Sequence, residues 1–313
     1  MMECTDRHGR YFLRQCSRRV LLYSEMITAA AVRHGKREFL LAFDVAEHPV
    51  ALQLGGGDPA ELAEAAKLGQ AAGYGEINLN VGCPSDRVKS GRFGACLMAE
   101  PELVARCVEA MADAVELPVT VKCRIGINGR DSFEQLRSFA GLLVGAGMAS
   151  LAVHARIAIL EGLSPKQNRE IPPLNYDRVY RLKDELPALE IVLNGGVRSL
   201  ADAAQHLQHV DGVMIGRAAF EDPYILAEAD RRIFADSGAI PSRHDIARAM
   251  QPYAERAITN GARLNHITRH MLGLFHARPG ARIWRRYLSE NVPKPGAGPE
   301  VIEQALALVP EAD

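Results

Sequence analysis

Short β-branched and aliphatic runs recur through the first 220 residues, and between them lie stretches with the marks of helices. The runs fall at residues 20–23, 50–54, 76–80, 119–123, 150–154, 191–194 and 212–215. Most are almost continuously apolar, the pattern of strands covered on both faces. Asp58-Pro59 offers an N-cap followed by a first-turn proline, with Gly73 as a stop. Pro101 opens another helix, Ser132 and Gln135 have capping-box spacing, and Ser199 precedes a helix over 200–207. Strands alternating with helices dictate a parallel sheet with right-handed crossovers.

Such a sheet is either doubly wound or closed into a (β/α)8 barrel. The barrel is the better reading, because chemically capable residues stand at the C-terminal end of one run after another: Gln53, Asn80, Lys122, His154, Asn194 and Gly216. A barrel gathers all those ends into one mouth. Seven runs leave it one strand short. Near residue 240 the strand pattern stops. Helical segments follow over 245–260, 262–276 and 280–289, then a Pro/Gly-rich turn (293–299) and a final helix. The expected architecture is α/β: a TIM-barrel domain over 1–240 and a small helical domain over 241–313.

Composition removes several classes. Hydrophobic residues make up 48% and charged residues 24%, so disorder is excluded as the main state. No run approaches the ~18 to 20 apolar residues that span a bilayer; the longest candidate, 139–153, is broken by Gly141, Gly145, Gly147 and Ser150. The first residues lack the apolar core of a signal peptide. Six cysteines without a CxxC or metal-type spacing point to reduced thiols and a cytoplasmic protein. The net charge of −1 conceals an asymmetry. Residues 242–294 hold ten Lys/Arg against three Asp/Glu, a local +7 that leaves −8 for the remainder. That segment is either a solvated helix face or a polyanion-binding surface.

Asn194-Gly195-Gly196 and Gly216-Arg217 follow the last two runs. In a barrel these are the loops after strands seven and eight, where glycine lets backbone N–H groups approach a phosphate and Arg217 adds charge. Two ordinary glycine turns would look the same. Neither a GxGxxG nor a P-loop is present. Lys122 and His154 end the two middle strands; each alone could be a satisfied structural residue, but both in one apolar mouth call for an anion or polar ligand. Gln53 suits a hydrogen bond to a flat heterocycle. The most specific run is Ile77-Asn78-Leu79-Asn80-Val81-Gly82-Cys83-Pro84-Ser85. A strand ends in Asn and a Gly-Cys-Pro turn presents the Cys83 thiol over the mouth, whereas Cys107 and Cys123 read as small core residues.

With Leu79 to Pro84, Gly94-Ala95-Cys96, His154-Ala155-Arg156, the stretch from Gly162 to Arg169 and Ala281-Arg282-Ile283-Trp284-Arg285-Arg286, the sequence resembles the tRNA-dihydrouridine synthases. It is most similar to their bacterial A-type branch, which acts on positions 20 and 20a of the D-loop. The resemblance implies FMN in the barrel mouth. Gln53 and Lys122 would meet the isoalloxazine, His154 the cofactor region, and the backbone at Met1 and Met2 would add contacts. Asn194, Gly195, Gly196, Gly216 and Arg217 would hold the phosphate. It also implies Cys83 as proton donor, Asn80 holding the target uracil, and Lys166, Arg169, Arg282 and Arg285 on tRNA. NADPH would be the reductant, although no motif binds it, and neither a membrane nor an obligate protein partner is implied. The family opens with a strand ending in Ala-Pro-Met-Met-Asp/Glu-x-Thr-Asp, here matched only from Met1, so the first barrel strand is expected to be truncated. Cys4 stands where Trp is usual and Ile157 where Lys is common. Two other functions suit the same residues: a flavin barrel reducing a free pyrimidine or small enone, and a non-catalytic tRNA-binding protein.

Overall fold

The structure, a computed structural model, describes residues 1–85, 91 and 93–311. One parallel sheet is built from β1 (Leu22–Tyr23), β2 (Ile27–Thr28), β3 (Val50–Gly55), β4 (Glu76–Asn80), β5 (Val119–Arg124), β6 (Ser150–His154), β7 (Glu190–Asn194) and β8 (Gly212–Met214). Its order is β1-β3-β4-β5-β6-β7-β8, with β2 also paired to β3. The sheet curls as a TIM barrel does, with helices outside, and among the described residues β8 and β1 do not pair with each other.

The run read at 20–23 is half of an interrupted strand. β1 pairs with the start of β3 (Leu22 with Val50) and β2 with its end (Ile27 with Leu54). At the interruption the Ser24 hydroxyl takes over the ladder, accepting from the Gln53 N–H at 2.9 Å. The other strands fall within a residue of their expected limits, and the helices Pro59–Ala71 and Pro101–Ala112 open at the prolines read as their starts. Asp58, Ser132 and Ser199 cap their helices as their positions require, the last two with full capping boxes.

Two buried clusters organise the interior. In the first, Leu52, Ile77, Leu79, Val121, Cys123, Leu151, Val153, Ile191 and Leu193 alternate along the strands and pack outward on the helices. The second joins Ile246, Met250, Leu274, Trp284 and Leu288 of the C-terminal helices to Phe12 and Cys16 of a helix over Arg7–Cys16. This helix escaped the sequence reading because its buried face carries Arg10 and Arg14, which mask its apolar period. Arg10 pairs with the fully buried Glu47 at 2.6 Å, and Arg14 donates to the carbonyls of Ser17, Val20, Glu47 and Pro49.

The helix expected over 262–276 is a correction. Only Leu264–Thr268 is α-helical. Beyond it, Met271, Leu274 and His276 donate to carbonyls three residues back, in tight successive turns. Gly273 sits where a Cβ would come within 2.4 Å of the Glu221 carbonyl oxygen. A regular helix would not bring the backbone so close to the barrel side.

Removing one partner of a buried ion pair leaves the other charge uncompensated, at about 3 to 5 kcal/mol. Arg10→Ala should destabilise the protein by that amount in urea unfolding, and Arg10→Ala/Glu47→Leu should recover part of the loss.

Candidate active site

Register places the polar residues of the sheet in layers on one face. Gln53, Asn78, Thr120 and Ser150 are aligned across β3 to β6, and Asn80, Lys122 and Ala152 form the layer above. Arg124, His154 and Asn194 align at the rim. Because the alternate residues pack on the outer helices, these side chains face the lumen.

Asn80 shapes the loop that carries the thiol. Its Oδ1 accepts from the backbone N–H of Gly82 (3.1 Å) and of Cys83 (3.0 Å), and its Nδ2 donates to Gln53 Oε1 at 2.8 Å. Among the described residues, one amide hydrogen on each of Asn80 and Gln53 is left for a ligand. Cys83 is half-buried, with its thiol 3.6 Å from the Ser85 hydroxyl, whereas Cys107 and Cys123 are in the core as expected. The Cys96 thiol is turned to the Phe93 carbonyl at 3.1 Å.

The mouth is cationic. Burial, with the Arg124 guanidinium beside it, pushes the Lys122 ammonium down to about 8. Lys122 makes no hydrogen bond or ion pair with a described residue. His154 is pushed down to about 2, first by burial and then by Lys122, Arg124, Arg156 and Arg217, so its imidazole is neutral. Its Nδ1 is buried without a partner among the described residues.

Asn194 Nδ2 donates to the Met214 carbonyl at 2.7 Å, tying β7 to β8. Gly195 and Gly196 follow with φ of 109° and 77°. A Cβ on Gly196 would lie 2.5 Å from the Tyr176 hydroxyl, which itself donates to the Gly195 carbonyl at 2.9 Å. Only glycine fits there. Met1 reaches Gly216 (a Cβ there would be 3.5 Å from Met1 Sδ), while Met2 is largely exposed. Arg217 is half-exposed and engaged by its neighbours, with Nη1 3.2 Å from Glu170 and Nη2 donating to the Arg169 carbonyl at 3.4 Å. Lys166 is exposed and Arg169 half-buried on the same loop. Arg282 and Arg285 are exposed on the helix Ala281–Asn291, apart from the barrel mouth residues, while Trp284 between them is fully buried and donates to the Met271 carbonyl.

Sequence reasoning missed two residues that hold these loops. Arg124, 4% exposed, donates from Nε to the Gly82 carbonyl (3.1 Å) and from Nη1 to the carbonyls of Ile157 (3.1 Å) and Asn168 (3.0 Å). Asn168 is fully buried, bonded both ways to Ile159 and donating to Leu163. Arg124 could have been found, since it stands two residues beyond Lys122 and so on the same strand face. Asn168 had no such signal. Among the described residues no cluster of ligating side chains could hold a metal, and no helix is long and apolar enough to cross a membrane.

A family model described as dihydrouridine synthase matches residues 1–309. The chain belongs to the dihydrouridine synthase family. It is 57% identical over 312 residues to the tRNA-dihydrouridine(20/20a) synthase of Vibrio vulnificus (strain CMCP6), covering 99% of this chain and 95% of that protein. It is 58% identical over 310 residues to the protein of that name from Escherichia coli (strain K12), covering 99% and 90%. Dihydrouridine synthases are flavin-dependent oxidoreductases. The mouth fits such a group: a glycine pair whose backbone admits close approach, and a lysine side chain and a buried imidazole nitrogen that both lack a partner among the described residues.

The neutral imidazole has a measurable consequence. Unfolded histidine takes up a proton below about pH 6.5, and folded His154 does not. Proton uptake therefore favours the unfolded chain, so stability falls as pH drops through that value, by up to about 1.4 kcal/mol per pH unit for this group. His154→Gln should lose that part of the slope when urea stabilities at neutral and mildly acidic pH are compared with wild type.

Proposed function

We propose that the protein is a tRNA-dihydrouridine synthase that reduces the C5–C6 double bond of uridine at positions 20 and 20a of the D-loop, with FMN as its flavin and NADPH as reductant. The observation that carries this is the Cys83 turn, pinned over a cationic barrel mouth by Asn80 and Arg124. The near-full-length likeness to proteins of that name supports the same substrate. When bound, the reduced flavin supplies hydride to C6 of the uracil. The protein's own residues do the rest.

Gln53 and Lys122 meet the ring system of the cofactor, and neutral His154 offers it a hydrogen-bond donor or acceptor. Met1, Met2, Asn194, Gly195, Gly196, Gly216 and Arg217 bind the remainder. For Arg217 this means sharing its guanidinium with Glu170 or leaving that carboxylate for a phosphate, which bears more charge. Asn80 uses its spare amide hydrogen to orient the uracil, and Cys83 delivers the proton to C5. A base stacked in tRNA cannot enter the barrel, so the uridine must be flipped out. Lys166 and Arg169 stand on the loop at the mouth, and Arg282 and Arg285 on the outer helix; these contact phosphates. The division of labour follows: residues 1–240 as the catalytic barrel and 241–313 as the helical RNA-binding part. A cytoplasmic setting, where tRNA is found, suits six cysteines none of which is joined in a disulfide.

Cys83→Ala should still be reduced by NADPH but form dihydrouridine about 10²- to 10⁴-fold more slowly, the usual loss for a general acid; wild-type turnover on tRNA would refute the assignment. On the RNA side, each side chain that neutralises a phosphate should account for about 0.7 to 0.9 of the salt slope of binding. Arg282→Ala/Arg285→Ala should therefore bind tRNA more weakly and with a flatter salt dependence. Filter binding over a salt series tests this, and lines that superimpose on wild type would remove the helix from the interface.

A further inference from the structure

A single line of hydrogen bonds runs from the Cys83 turn down through the barrel lumen to Glu76, at the start of β4. The backbone N–H groups of Gly82 and Cys83 donate to Asn80 Oδ1. Asn80 Nδ2 donates to Gln53 Oε1 at 2.8 Å, Gln53 Nε2 to Asn78 Oδ1 at 2.9 Å, and Asn78 Nδ2 to Thr120 Oγ1 at 2.8 Å. The Thr120 hydroxyl donates to Glu76 Oε1 at 2.6 Å, and the Tyr23 hydroxyl donates to the same oxygen at 2.8 Å. Every donor along the line points the same way, from the turn toward the carboxylate.

That sense is chemically forced at the turn and favoured at the far end. A backbone N–H can only donate, so Asn80 must present its oxygen upward. Burial raises the Glu76 carboxyl, but the hydrogen bonds from Thr120 and Tyr23 oppose this and favour the carboxylate, which accepts, so Thr120 presents its hydrogen downward. Three side-chain amides lie between, and each could in isolation be turned over. Flipping any one would set donor against donor on one side and acceptor against acceptor on the other. The links are buried, where such a mismatch costs most. Gln53, Asn78, Asn80 and Thr120 are each at most 9% exposed.

We infer that Thr120 and Glu76 are positioning residues for the reaction: they terminate a one-way amide chain that fixes the orientation of Asn80 and through it the Cys83 turn. This rests on the reading of Cys83 as the acid and deepens it. Neither residue touches the reacting atoms, and both act through Asn78, Gln53 and Asn80. Thr120 is the pivotal link, because its hydroxyl alone both accepts from an amide and donates to the carboxylate.

The test uses the flavin-loaded enzyme with Thr120→Val, which is close in shape but has no hydroxyl, and Thr120→Ser, which restores the hydroxyl. Two readouts are taken: the rate at which iodoacetamide alkylates Cys83, located by peptide mass, and the kcat and KM for dihydrouridine formation on tRNA. Thr120→Val should change the alkylation rate and lower kcat by about tenfold each, the equivalent of one buried hydrogen bond. KM for tRNA should stay within about twofold, and Thr120→Ser should return both rates to near wild type. Glu76→Met, which removes the terminal acceptor, should act in the same direction as Thr120→Val. Wild-type alkylation and kcat in a folded Thr120→Val protein would overturn the inference, and so would failure of Thr120→Ser to restore them. Should Thr120→Val not fold, Thr120→Ser together with Glu76→Gln, which keeps an acceptor oxygen, must stay near wild type while Glu76→Met does not. The reading beneath it fails separately: if Cys83→Ala formed dihydrouridine normally while Thr120→Val still altered thiol alkylation, the chain would stand and the acid assignment would fall.

Discussion

The guanidinium of Arg124 is the point on which the barrel mouth is assembled. A loop leaving a strand end has backbone carbonyls that no ladder satisfies, and burying them without donors is costly. Arg124 answers this for two loops at once, through the carbonyls of Gly82 after β4 and of Ile157 and Asn168 after β6. Its planar fork spans directions that a lysine ammonium would not hold in fixed geometry. Cys83 follows one of these carbonyls directly, and Arg169 follows another. The thiol and the basic loop thus take their positions from the same side chain.

The same residue contributes to an electrostatic imbalance. Lys122, Arg124, Arg156 and Arg217 help burial to expel the His154 proton, and Arg124 itself is lowered to about 10 chiefly by burial, with Arg169 and Arg156 adding to it. Glu170 offsets part of this through Arg217, but it lies toward the outer, half-exposed rim. Deeper in, no carboxylate is paired with Lys122 among the described residues. A cationic lumen with a neutral imidazole favours an anionic ligand that also has polar ring atoms to be satisfied. That is the demand a flavin nucleotide makes, and it arises here from burial and charge alone.

Much of this was legible in the sequence, and the failures have physical causes. Continuous apolar runs located the strands because both faces of a barrel strand are covered, and that rule held wherever the outward residues were aliphatic, as with Leu79 and Val121. Gln53, Asn80, Lys122, His154 and Asn194 could be picked out because they interrupt or end such runs. Asn78 and Thr120 were passed over inside the strands, although Glu76, Asn78 and Asn80 alternate in the period of one strand face. The helix Arg7–Cys16 was hidden because two of its buried positions are arginines, and a hydrophobicity pattern treats a buried, fully bonded arginine as a surface residue. The over-long helix at 262–276 erred in the opposite way, since helical spacing of apolar residues persists through tight turns that bury the same face.

That first helix also explains how the two cores are held in one piece. Asp6 caps it and at the same time bonds His270 at 2.9 Å and Arg269 at 2.5 Å. Burial alone would raise its carboxyl, but these contacts outweigh burial and hold it well below the usual range. His8 meets the Tyr253 hydroxyl at 2.7 Å, and Tyr11 stacks on the Tyr253 ring. On its other side Arg10 reaches the Thr5 carbonyl and the buried Glu47, and Met1 lies against Gly216 after β8. The segment from Met1 to Cys16 therefore has its start in the barrel mouth and its apolar face in the C-terminal core. Polar contacts of this kind are worth little singly on a surface, but several are buried and share partners, so loosening one leaves the others unpaired. The C-terminal helices are thereby held in a fixed position relative to the barrel mouth, and under the proposed function that fixed spacing is the geometric condition for delivering one flipped base to Cys83.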